Sequence, residues 1–448
     1  MGSVEQRLAA HRQEHLLAGV DDLAPDVRAR FLERLARIDW AELERPAEPP
    51  APGDVRPAAV VTLDERARRR DELTASGEDA YRRGAVGVLV VAGGEGTRLG
   101  FDGPKGLLPL GPHSHKSIYQ LQAEKVVSLS RRVGQEVPLL VLTSPKTDEK
   151  TRAFFRTHDR FGLADGQLSF FAQGTVPSLD QDGRALLAEP GVLLENPDGH
   201  GGVFAALVES GELDRLSERG VEQLVYVQVD NVLAPVDDPE LVGLALVERA
   251  EVVTKVLEKT HPDERVGHLV TDGRRDRVVE YTELTHEQTR ARTDTGELIY
   301  RWGSPAMHAW SVDFLSRLAV RGHRLPLHRS AKPLRAWIDG AVREVDGWKF
   351  ERFVFDLIPA AERSIGLEVD RGGEFAPVKN AAGEDSPATA VELAHRNYVE
   401  WLEAEGVRVD LQAGELIEIS PLLAATRAQF LERWDGRTAR ITRGTYLE

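Results

Sequence analysis

The chain has 448 residues, no cysteine, and 73 acidic against 57 Lys and Arg side chains, for a formal net charge of −16. That length points to one large α/β domain with appendages, and the lack of cysteine excludes disulfides and thiolate metal sites and suits a reducing, cytoplasmic setting. The acidic balance argues against non-specific nucleic-acid binding, and the absence of an apolar run of about 18 residues or of a signal-peptide core argues against a membrane.

Residues 1–45 read as helices, with Leu8, Leu16, Leu17, Phe31, Leu32 and Leu35 forming an apolar stripe among charges. A Pro-rich stretch at 46–53 reads as a stiff exposed linker. The Arg- and Glu-rich piece at about 62–83 reads as a solvated helix. From 86 onward, strand-like runs at 86–91, 137–143, 168–172, 224–229 and 252–257 alternate with amphipathic segments. Ser117 has the chemistry of an N-cap for the helix carrying Ile118, Leu121, Val126 and Leu129. Further helices are expected from Val203 and from Pro239, short strands at 278–281 and 348–355, and a helix over 388–405. This alternation predicts a doubly wound, mostly parallel sheet, whose ligands lie at the carboxyl ends of the strands. No internal repeat is present.

The first strand runs into Gly93, Gly94, Gly96 and Gly100, with Thr97, Arg98 and Lys105 among them. Glycines let backbone N–H groups approach an anion closely, and the two cations supply charge that phosphate favours. The spacing does not fit the dinucleotide fingerprint or a Walker loop. Asp230 ends the strand VYVQVD. A carboxylate in that place suits Mg²⁺, although a strand-terminal Asp taken alone is more often a turn-former or helix cap.

The pattern GGxGTRLGxxxPKG resembles the signature of UTP-dependent sugar-1-phosphate uridylyltransferases, and most closely that of the eukaryotic-type UDP-N-acetylhexosamine pyrophosphorylases. Further motifs follow in the family's order over roughly 85–390. FFAQGTVP, with Gln173, is similar to FFQQGxLP, whose glutamine reads uracil. The turn PDGHGG, with Gly199, His200 and Gly201, is similar to PDGNGG, although His200 is the residue of the PPGHGD turn of UDP-glucose and broad-specificity UDP-sugar enzymes. VVEYTE at 278–283 resembles VVEYSE, which places Glu280 and Tyr281 at the sugar. GSPAMH at 303–308 aligns with GNIANH, so Met307 stands where the family has a sugar-binding asparagine. KFERFVFD at 349–356 resembles KxEKFVFD, implying that Phe353 and Phe355 border the N-acetyl group. FAPVKN at 375–380 resembles FSPLKN, and a D-x-P-x-T-A run follows from Asp385.

The resemblance implies a Rossmann-like nucleotidyltransferase core over 81–387, between an N-terminal helical segment (1–80) and a C-terminal lobe (388–448). It implies UTP and a sugar 1-phosphate as substrates, N-acetylglucosamine 1-phosphate foremost, with glucose 1-phosphate or broader use as the alternative. Arg98, Lys105 and Lys379 would carry catalysis, Gly93, Gly94, Gly96, Thr97, Gln173 and Gly199 the nucleotide, and Asp230 the Mg²⁺. A non-catalytic UDP-sugar sensor would keep the same pocket. A nicotinamide enzyme would need an acid after the second strand, where Thr143 and Ser144 stand instead. The sequence is silent on oligomeric state.

Overall fold

A computed structural model describes residues 4–47, 55–281, 283–436 and 438–448. Most of the expected linker at 46–53 lies outside them. The chain packs into two compact units, neither of them continuous in sequence.

The larger unit takes residues 55–172, 206–323 and 357–448. Its elements in chain order are α1 (Leu63–Arg82), β1 (Val86–Val91), α2 (Ile118–Val133), β2 (Leu139–Thr143), α3 (Asp148–Thr157), β3 (Leu168–Ala172), β4 (Gln223–Gln228), α4 (Pro239–Val247), β5 (Val252–Glu258), β6 (His308–Ser311), β7 (Ser364–Glu368) and α5 (Pro387–Ala404). Strands β3, β2, β1 and β4 are neighbours and parallel. Their apolar runs are what a strand covered on both faces requires. The short β6 then enters antiparallel between β4 and β5, and β7 lies parallel to β5. The sheet is therefore mixed: β6 is an antiparallel insert, but β5 and β7 beyond it run in the same direction as β1 to β4.

Helix starts follow the sequence chemistry. Ser117 accepts the Gln120 N–H at 3.1 Å to cap α2, and Ser386 with Thr389 makes a capping box on α5. Gly77 and Gly243 let α1 and α4 cross closely, since a Cβ on either would meet a backbone oxygen of the other helix at 1.9 Å. The core combines Val88, Val90, Val141, Val225 and Val227 with Tyr119, Phe155 and Leu241. Leu402, Val407, Ile417, Ile419 and Phe430 form a separate apolar cluster within the same unit.

The smaller unit joins residues 4–47 to Gln173–Ala205 and Arg324–Asp356. Its frame is a hairpin of eleven-residue strands, His328–Ile338 and Ala341–Glu351. Asp339 and Gly340 turn it with φ of +49° and +82°, the signature of a two-residue hairpin loop. Leu8, Leu16, Phe31 and Leu35 of the expected N-terminal stripe are buried, together with Trp40, against Val176, Leu179 and Phe350. One boundary differs from expectation. The strand expected at 348–355 stops at Glu351, because the Arg352 N–H turns to the Asp198 carbonyl at 2.6 Å and leaves the ladder.

Candidate functional site

The geometry begins with strand register. β1 and β4 are parallel with Val91 opposite Gln228, so Gly93 and Asp230, two residues beyond each, emerge at the same sheet edge. The glycine loop returns on itself: the Gly96 N–H donates to the Gly103 carbonyl at 2.8 Å, and the Lys105 N–H to the Gly94 carbonyl at 3.1 Å. Gly96 is required there, because a Cβ would stand 2.9 Å from the Phe101 ring, whereas a Cβ on Gly94 would point into open space. This fold-back delivers Lys105 to Asp230, where Nζ meets Oδ2 at 2.9 Å with both side chains mostly buried.

A third segment closes on the same point. The Val378 N–H donates to the Asp230 carbonyl at 3.0 Å, which sets Lys379 next to it in the chain. Asn231 grips the segment from both sides, with Oδ1 accepting the Ala376 N–H at 2.9 Å and Nδ2 donating to the Glu374 carbonyl at 2.8 Å. The Lys379 amine is exposed, 3.5 Å from Asp385, at a cleft of about 660 Å³ whose walls include Arg265, Arg371 and Arg396. The structure thus unites Lys105 and Asp230 with the backbone of the Lys379 segment, whereas the Lys379 amine faces a cleft that neither of them lines. Arg98 sits on the turn Thr97–Leu99, with Thr97 beside it. It is exposed and makes no ion pair among the described residues.

The expected sugar residues of this unit lie elsewhere in it. Met307 is 1% exposed within the core, with its Sδ 3.5 Å from Asn231 Nδ2. Glu280 and Tyr281 follow the strand Asp276–Val279, which ends before them because the Glu280 N–H is taken by the Glu283 carboxylate at 2.9 Å. Tyr281 is exposed.

In the smaller unit, Gln173 is buried at the end of the segment entering it, and the Gly174 carbonyl accepts the Asp198 N–H at 3.1 Å. Gly199 has φ +85°, and a Cβ there would stand 2.6 Å from the Arg352 carbonyl oxygen, so no other residue fits. The Gly201 N–H donates to that carbonyl at 2.9 Å. His200 Nδ1 accepts the Val354 N–H at 3.1 Å, which puts the ring hydrogen of the neutral imidazole on Nε2. Its ring lies 5.7 Å from Phe353 and 5.8 Å from Phe355, which stack on each other at 5.0 Å. His200, Gly201, Phe353 and Phe355 therefore form one aromatic-faced cluster, with the two phenylalanines in the turn beyond the hairpin strand.

Four buried lysines, Lys116, Lys125, Lys255 and Lys259, escaped the sequence reading, and two of them bear on the site. Lys255 lies on β5 and is 1% exposed, with its amine on Asp238 and 2.5 Å from Glu374. Lys125 on α2 donates to the carbonyls of Val232 at 2.7 Å and Ala234 at 2.9 Å, and burial pushes its amine down to about 7. Only a lysine placed inside an otherwise apolar run, as in VVTKVLE, would have marked Lys255.

A glycine loop, a cation and a carboxylate at the carboxyl edge of parallel strands define a phosphate-handling α/β protein. Residues 33–385 match the UTP–glucose-1-phosphate uridylyltransferase family, and the chain belongs to it. It is 34% identical to UDP-N-acetylglucosamine diphosphorylase 2 of Arabidopsis thaliana, over 93% of this chain and 88% of that one. It is 35% identical to the UDP-N-acetylglucosamine pyrophosphorylase of Saccharomyces cerevisiae, over 82% and 80%. Among solved structures, the uridine diphosphate N-acetylglucosamine pyrophosphorylase of Trypanosoma brucei superposes with a TM-score of 0.80 at 31% identity, covering 99% of this chain and 98% of that one.

Proposed function

We propose that this protein is a uridylyltransferase that converts UTP and N-acetylglucosamine 1-phosphate into UDP-N-acetylglucosamine and pyrophosphate. The observation that carries the reading is the Lys105–Asp230 pair at the mouth of the glycine loop, with the Lys379 segment bonded to Asp230. The relatives named above support the choice of sugar.

A phosphate oxygen of the sugar 1-phosphate attacks the α-phosphorus of UTP, and the bond to the β-phosphate oxygen breaks to release pyrophosphate. A phosphate monoester with a second pKa near 6 is already ionised at neutral pH, so the nucleophile needs no general base. The barrier is the approach of one anion to another, which positioned cations and backbone N–H groups lower. The loop amides of Gly93, Gly94 and Thr97 and the Arg98 guanidinium serve the β- and γ-phosphates, while Gly96, whose N–H is taken by the Gly103 carbonyl, shapes the nucleotide loop. Lys105 and Lys379 serve the α-phosphate and the sugar phosphate. Gln173 and Gly199 take uracil, and His200, Gly201, Glu280, Tyr281, Met307, Phe353 and Phe355 belong to the sugar end.

No group of three His, Asp or Glu side chains is arranged to hold a metal among the described residues. One carboxylate at a phosphate loop nonetheless fits a Mg²⁺ ion that shares its remaining ligands with substrate phosphates and water. Asp230 would hold it, and when bound it would offset phosphate charge. Within the same reading, 81–387 is a doubly wound nucleotidyltransferase core from which 173–205 and 324–356 depart to the smaller unit, and 388–448 is a C-terminal lobe with its own apolar cluster, in a cytoplasmic protein.

His200 and Met307 favour a second reading, with glucose 1-phosphate or several sugar phosphates as substrates. Both positions lack the amide that the N-acetylhexosamine motifs carry. Pyrophosphate release with UTP, Mg²⁺ and the 1-phosphates of glucose, galactose, GlcNAc and GalNAc decides. The highest kcat/KM with GlcNAc 1-phosphate supports the first reading, and the highest with glucose 1-phosphate the second. Release with none would leave only a UDP-sugar-binding regulator.

A further inference from the structure

The segment that presents Lys379 has no helix or strand of its own to stiffen it between Phe375 and Lys379. Its hold on Asp230 and Asn231 consists of backbone hydrogen bonds from Ala376 and Val378, and the Asn231 amide on the Glu374 carbonyl. Such bonds give register but not rigidity, and the upstream end must be fixed by something else. The helical turn Arg371–Glu374, capped by Asp370, closes that end, and its tie to the sheet is the Glu374 side chain. That side chain runs inward to the Lys255 amine at 2.5 Å, and its other carboxylate oxygen lies 3.8 Å from Arg66 of α1. Lys255 belongs to β5 inside the sheet and is held from the far side by Asp238, itself the N-cap of α4. Although burial opposes ionisation, Lys255 and Arg66 hold Asp238 down to about 2, so this side of the cluster stays ionic across the neutral range.

We propose that Lys255 is a positioning residue for the transfer reaction: through Glu374 it ties the 374–379 segment to the sheet and so fixes Lys379 beside Asp230. The proposal rests on the reading of Lys379 as a phosphate-binding cation. Lys255 touches no substrate itself, being sealed in the core. The arrangement makes sense energetically: a buried salt bridge is a poor source of net stability but a good source of a unique geometry when every partner is satisfied.

The test uses the full chain with two variants, Lys255→Met and the double variant Lys255→Met with Glu374→Gln. The first leaves two buried carboxylates, Asp238 and Glu374, without their shared cation and lowers the thermal midpoint. The second removes that imbalance and recovers much of the midpoint, while leaving the tether absent. Both are expected to lose on the order of 10²-fold in kcat, the scale of a misplaced catalytic group, with KM for UTP little changed. If the double variant regains kcat together with its midpoint, Lys255 is structural only and the proposal fails. Amide hydrogen exchange gives a readout independent of activity. Faster exchange confined to the Ala376 and Val378 amides, with β1 and β4 still protected, supports the tether. Unchanged protection there, or a loss spread over the sheet in step with the midpoint, overturns it. A wild-type protein that releases no pyrophosphate overturns the functional reading instead, while the exchange result still decides the tether.

Discussion

Lys105 and Asp230 neutralise each other at rest, 2.9 Å apart and each still partly open to solvent. A largely buried pair contributes little net stability, because the cost of desolvating both charges offsets their attraction. A pair that is cheap to open is what a phosphate loop requires, since the lysine must turn from the carboxylate to an incoming triphosphate. Lys105→Ala should lower kcat by about 10²–10³-fold, the cost of removing one preorganised charge from a transition state, and should lower the thermal midpoint without unfolding the protein, since Asp230 loses its cation. Paired turnover and melting measurements check it: an active variant, or one lost through unfolding, would contradict the assignment. Arg98 is a different case, because its exposed guanidinium has no resting partner to release among the described residues. Arg98→Ala should cost activity as well, and by raising KM for UTP more than Lys105→Ala does, since an exposed cation with no fixed partner acts first on the bound ground state.

The loop that carries these residues depends on one contact at the scale of the element. A methyl group on Gly96 would press on Phe101 and on the Phe101 carbonyl, so Gly96→Ala must open the fold-back that delivers Lys105. The expected result is a rise in KM for UTP with the melting midpoint within a few degrees of wild type, whereas Gly94→Ala, whose Cβ meets nothing, should be much milder. Equal effects of the two would show that the loop shape does not depend on the Phe101 contact. The loop and the strand before it were legible because both signals are local: an apolar run, then glycines in a fixed order. β2, β3, β4 and the α2 cap were legible for the same reason. β6 was not, because His-Ala-Trp-Ser is short and carries polar ends, yet it divides the sheet between β4 and β5. The turn holding Phe353 and Phe355 was mistaken for strand because its apolar residues alternate, and only the Asp198 carbonyl, far away in sequence, ends the ladder. Lys255 and Lys125 were missed since a lysine in a sequence reads as surface, and its buried partners are set by tertiary contacts.

Across the whole molecule, charge in the sequence gives a misleading expectation of how stability responds to pH. A net charge of −16 grows more negative on the alkaline side, and self-repulsion alone would destabilise the protein there. The buried lysines act in the opposite sense. Burial lowers the Lys125 amine to about 7, and it lowers Lys259 as well. An unfolded lysine titrates near 10.4, so between pH 7 and that value the unfolded chain holds a proton that the folded chain has released. Stability then rises with pH, by up to about 1.4 kcal/mol per unit for one such group. Lys116 and Lys255 are shifted upward, despite opposing burial, by their acidic partners, and so affect stability only at higher pH. With surface repulsion screened by salt, the thermal midpoint should climb from pH 7 to pH 9. Lys125→Met isolates the cause. That change also strips the Val232 and Ala234 carbonyls of their donor, so the sign of its effect at any single pH depends on two opposing terms. Its slope does not: the stability of wild type relative to Lys125→Met must increase steadily from pH 7 to pH 9. A difference that stays flat or shrinks would mean that Lys125 keeps its proton in the fold, held by the two carbonyls against burial.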